Sequence, residues 1–109
     1  MKLTELEAKF LKVESTTIRR YVDSIEEADG VIFLCPVCWK KNSGPVGTES
    51  MICWKPSVPQ TISPSGGRWN LVGTGLHDLS LVAGSSSILV RNADGSEHWH
   101  GYVKNGEVT

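Results

Sequence analysis

Gly30-Val31-Ile32-Phe33-Leu34-Cys35-Pro36-Val37-Cys38 joins two different signals in one short run. The residues from Val31 to Leu34 are β-branched, aromatic and aliphatic, and they follow a glycine, which is the pattern of a buried strand. That strand delivers the chain directly into a Cys-Pro-x-Cys turn. In such a turn both thiolates face one point while backbone N–H groups stabilise the sulfurs, so the pair supplies half of a tetrahedral zinc site. The three cysteines of the chain are an odd number for a disulfide framework, which favours metal or redox chemistry in a reducing compartment.

The other half of the shell has to come from elsewhere. His98-Trp99-His100 offers two imidazoles at strand spacing, where residues two apart project to one face. Cys53 is a further candidate on a neighbouring strand, Glu97 an oxygen donor and His77 a more distant imidazole. The metal-ligand candidates are therefore Cys35, Cys38, His98, His100 and Cys53, from which one zinc ion takes about four: the expected set is Cys35, Cys38 and His100 with one further ligand, His98 or Cys53, and Glu97 as an outside candidate. A redox dithiol requires a helix beginning at the pair, and Trp39-Lys40-Lys41-Asn42-Ser43-Gly44-Pro45 is a poor helix former.

Outward from this centre, Thr4 with Glu7 reads as a capping box, and Leu3, Leu6, Phe10 and Val13 recur at helical spacing. These predict an amphipathic helix over residues 5–14. Residues 17–22 and 50–54 read as strands, and a single turn around residues 24–27 joins two extended pieces. Residues 56–67, with three prolines and two glycines, have loop composition and read as a segment free to move. Short β-like runs follow at 68–72, 79–82 and 87–90, with a turn signal at 92–95. Asn105-Gly106 is the dipeptide of a tight type I′ hairpin. The expected fold class is α+β: one N-terminal helix packed on a small, mostly antiparallel sheet spanning residues 17–109, stapled by zinc.

The chain has 109 residues, 39% hydrophobic and 21% charged, which suits one domain over residues 1–109 and is too short for a two-domain enzyme. Eleven Lys and Arg against twelve Asp and Glu give a net charge of −1, so no global basic field attracts nucleic acid or an anionic membrane. No apolar run approaches the ~20 residues that span a bilayer. The first thirteen residues carry charges throughout, so a cytoplasmic location is expected.

The order of Gly30 to Cys38, then Gly73-Thr74-Gly75-Leu76 and Asp78-Leu79-Ser80-Leu81, then Trp99-His100-Gly101-Tyr102-Val103-Lys104-Asn105-Gly106-Glu107, resembles a family of small phage and bacterial proteins. The likeness covers roughly residues 18–108. It implies a structural zinc site, made where a Cys-containing turn meets a later Cys-x-x-His before an aromatic strand and a Gly hairpin. It also implies a phage or mobile-element origin, but no reaction. Position 97 is Glu where the later cysteine would fall, and His98 beside it is the substitute.

These readings together predict a zinc-binding interaction module with a protein partner, and no membrane. Two alternatives differ in class. A zinc hydrolase would use Glu97 as general base beside an open coordination position. A single-stranded nucleic-acid binder would stack bases on Trp39, Trp54 and Trp69, flanked by Lys40, Lys41, Lys55 and Arg68. The His-Glu-x-x-His and deaminase motifs are absent, His77, Asp78 and Ser80 are adjacent in sequence without forming a triad, and Gly73-Thr74-Gly75 lacks the rest of a phosphate loop.

Overall fold

Adjacent residues Phe10 and Leu11 are both buried, at 3% and 2% exposure, and they lie in two different hydrophobic cores. Only an extended chain sends neighbouring side chains to opposite sides in this way. The predicted helix over residues 5–14 is therefore absent, and the α+β expectation is corrected. The apolar spacing from Leu3 to Val13 is instead divided between a single 3-10 turn, Leu3–Leu6, and strand β1, Lys9–Val13. Glu7 ends the turn in the left-handed conformation (φ 53°), which stops a helix from propagating. The structure, a computed structural model, describes residues 1–84 and 86–109.

Strand β1 lies between β2 (Arg19–Val22) and β3 (Gly30–Leu34), and β4 (Ser50–Trp54) closes an antiparallel sheet of order β2-β1-β3-β4. The register aligns Val22, Phe10, Val31 and Cys53 across one face. The next row, Tyr21, Leu11, Gly30 and Trp54, belongs to the other face. Trp54 is wholly buried, and its indole lies over Gly30, where a side chain would collide with it. The first face joins the larger core with Phe33, Cys35 and Met51, while Leu11 and Trp54 form a smaller one with Val58 and Ile62.

Among the described residues, three two-stranded antiparallel sheets follow in place of the one sheet expected: β5 (Asn70–Val72) with β6 (Ser80–Val82), β7 (Ile88–Arg91) with β8 (Glu97–Gly101), and β9 (Val103–Lys104) with β10 (Glu107–Val108). Leu79, Leu81, Ile88, Trp99, Val103 and Val108 from this half all enter the larger core. Asn105 and Gly106 both have positive φ (49° and 76°), as a type I′ turn demands. Residues 1–3 pair with the last hairpin through Met1 N to Val108 O (2.9 Å), Val108 N to Met1 O (2.7 Å) and Leu3 N to Gly106 O (2.9 Å).

The segment read as a free loop is anchored. Val58 and Ile62 are buried beneath it, and the Trp54 indole N–H donates to Ser63 O at 2.9 Å. The Arg68 guanidinium donates to the carbonyls of Val58, Pro59 and Pro64, each at 2.9 Å, and to those of Gly67 and Ile62 at 3.1 and 3.3 Å. One planar fork of donors thus replaces the ladder that a proline-rich segment cannot form.

Candidate metal centre

Cys35 continues the alternation of Val31 and Phe33, so β3 aims its sulfur into the larger core. Pro36 then starts a seven-residue helix, α1 (Pro36–Asn42), with Cys35 as its N-cap. A helix does begin at the cysteine pair, contrary to the reading of residues 39–45. Pro at the first helical position is pre-set for φ, and Lys40 and Lys41 in the last turn favour the helix dipole. One helical turn returns Cys38 to the side of Cys35, and both are buried, at 8% and 1% exposure.

Strand β8 brings the imidazole. Val90 pairs with Trp99 and Arg91 with Glu97, so His98 is the extra residue of a β-bulge. A bulge re-aims side chains, and here His98 turns to the side of buried Trp99 and away from exposed His100. Trp99 packs edge-on against Phe33, with ring centroids 6.3 Å apart at 85°. That contact clamps the strand carrying His98 to the strand leading into Cys35.

His98 Nε2 lies 3.2 Å from Cys35 Sγ and 3.1 Å from Cys38 Sγ. All three donor atoms fall within 4.8 Å of one another. In a tetrahedral zinc shell, sulfur and nitrogen donors sit about 3.6 Å apart, so a small outward movement admits the ion. Two thiols and one imidazole are donors that suit zinc. Among the described residues, Cys35, Cys38 and His98 form a candidate metal site.

Burial pushes the Cys35 thiol above its ordinary pKa, opposed by backbone N–H groups of Cys38 and Val37 directed at the sulfur. Both thiols are buried, whereas an attacking redox cysteine is accessible. The helix at the pair meets the requirement of a dithiol reading, and the convergence of His98 on both sulfurs favours the metal reading over it.

The structure does not bring the other candidates into this group. Cys53 is opposite Val31, four residues before Cys35 on β3, which is about 13 Å along the strand. It is 1% exposed, and burial pushes its thiol up to about 12. His100 is exposed, with Nδ1 3.4 Å from Glu97 Oε1. His77 is exposed in the turn before β6. Of the tryptophans, Trp54 and Trp99 are buried and cannot stack bases, and Trp39 and Trp69 are half-buried against the core.

Among the described residues, no helix is long and apolar enough to cross a membrane. Comparison of the chain with protein-family models, with curated proteins and with solved structures found no match.

Proposed function

We propose that this chain is a zinc-binding interaction module, in which Cys35, Cys38 and His98 hold one Zn²⁺ that ties the end of β3 to β8. The observation that carries this reading is the convergence of His98 Nε2 on both sulfurs, from a position 60 residues beyond Cys38 in the chain. Zinc would supply cross-linking there, coupling metal binding to folding. The partner is a protein, of phage or host where the origin implied by the motif resemblance holds. His100, on the same strand as His98, remains a proposal for a fourth ligand.

Metal analysis with X-ray absorption at the zinc edge tests the assignment, using protein purified without added metal. The expected result is one zinc with two sulfurs. Two nitrogens then bring in His100, whereas one nitrogen and one oxygen leave the fourth position to water. Three sulfurs would bring in Cys53 and overturn the ligand set, and no metal would overturn the reading altogether. Cys38→Ser and His98→Ala each lose zinc, while His100→Ala separates the two nitrogen counts.

Glu97 as a hydrolytic base has less support. Its side chain is 61% exposed and faces His100 rather than the sulfurs.

A further inference from the structure

Two strands present their outer edges to one groove. β4 is the last strand of its sheet, and β7 pairs only with β8 among the described residues. Between them runs a groove of about 750 Å³ lined by residues of both strands, within the size range of ligand sites.

The direction of the β4 groups follows from the register. Cys35 N donates to Glu49 O, and Lys55 N donates to Asp29 O, so the odd-numbered residues of β4 bond to β3. In an antiparallel pair the alternate residues point their N–H and C=O the other way. Ser50 and Ile52 therefore direct their backbone groups outward, and no described residue pairs with them. The next outward carbonyl, on Trp54, already accepts from Trp69 N at 2.9 Å, so the open stretch of this edge runs from Ser50 to Ile52.

The lining is also electrically one-sided. Arg19, reaching from β2 at the far edge of the sheet, and Arg91 on β7 are its charged lining residues, and no Asp or Glu lines the groove. Neither arginine forms an ion pair among the described residues, and Arg91 spends one N–H on Gly95 O at 2.9 Å. Leu89, 42% exposed on β7, and half-buried Trp69 offer apolar contact for alternate side chains of a strand.

We propose that this groove binds an extended acidic peptide by strand addition on the edge of β4, with Arg19 and Arg91 holding its carboxylates. The main-chain ladder supplies affinity and the alternate pockets supply specificity. This deepens the interaction-module reading by naming the surface and the chemistry of the partner. It does not use the zinc ligands.

The test is fluorescence anisotropy on the zinc-loaded chain with a labelled alternating Glu-Val peptide of about eight residues, a usual strand length, against the matching Lys-Val peptide and a thymidine oligonucleotide. Amide NMR shifts locate the binding. Expected are saturable binding of the Glu-Val peptide alone, shifts at Ser50, Ile52 and Leu89, and at least a tenfold loss in Arg19→Glu/Arg91→Glu. Ser50→Pro is expected to abolish binding while keeping zinc content, because it removes an outward N–H at a strand's first residue, where proline is tolerated. No saturable binding, equal binding of the Lys-Val peptide, preference for the oligonucleotide or shifts elsewhere would each overturn the proposal. A self-association that buries the same edge would overturn it as well. Zinc present without peptide binding removes only the groove, and peptide binding without zinc removes only the metal centre.

Discussion

A methyl group at position 30 would lie 2.5 Å from Trp54 Cε3 and 2.6 Å from the carbonyl oxygen of Cys53. The indole could tilt, but the carbonyl belongs to the paired strand and cannot, so the glycine is required by close approach rather than by its own dihedral angles. Gly30→Ala should destabilise by roughly 1–3 kcal/mol, the ordinary cost of overpacking, read as a lower denaturation midpoint at unchanged slope. At the same scale lies the difference between the two histidines. Regular strand alternation predicts residues 98 and 100 on one face, and the structure overturns that expectation. The bulge that separates them depends on how β8 meets β7, a tertiary outcome that His98-Trp99-His100 does not encode locally.

Among the elements, Arg68 shows how a segment without ladder or helix keeps its shape. Its side chain bonds five carbonyls of residues 58–67, so Arg68→Ala should raise amide exchange across that segment at least tenfold while leaving β1 to β4 protected. The composition of this stretch announced turns correctly. It could not announce that one later side chain would satisfy them.

The turn before β6 behaves similarly. Asp78 accepts from the amides of Thr74 and Gly75, each at 2.9 Å, and from the Thr74 hydroxyl at 2.8 Å. These bonds, the Thr74 amide first, lower its pKa to about 2 from the usual 3.8. Because the folded value is the lower one, the turn is supported above 3.8 and loses that support as pH falls through 2. The Thr74 and Gly75 amide resonances should titrate with a midpoint near 2, and Asp78→Asn should remove the transition.

The first element was misread for a physical reason. Helical and extended chains both accommodate apolar residues at positions 3, 6, 10 and 13, and burial of the sheet on both faces erases the polar alternation that marks a strand. By contrast β3, β4 and the Asn105-Gly106 hairpin were plain, because their side-chain chemistry and backbone geometry agree, whereas at the cysteine pair the thiol chemistry was legible and the helix that carries Cys38 was not.

At the level of the whole molecule, the proposed ion would tie the end of β3 to β8, where the packing of Phe33 against Trp99 already joins the two strands. Saturation at about a hundred times the dissociation constant adds about 2.7 kcal/mol to a fold that binds metal only when folded. Chelation should therefore lower the thermal midpoint and leave β8 the first strand to exchange its amides. An unchanged midpoint in a protein that contains zinc would mean that the ion sits outside the folded core.

The pairing of residues 1–3 with the last hairpin also sets the mechanical character of the protein. Its bonds, Met1 with Val108 and Leu3 with Gly106, lie one behind another from the chain ends inward, so a force applied to those ends opens them in sequence, like a zip. The span between the proposed metal ligands lies farther along the force path. Stretched by its ends in an optical trap, the zinc-loaded chain should first yield its outer segments at low force. It should then hold until the metal bonds break, releasing the 60-residue interval from Cys38 to His98, about 200 Å of contour. With a chelator present, that second release should merge with the first.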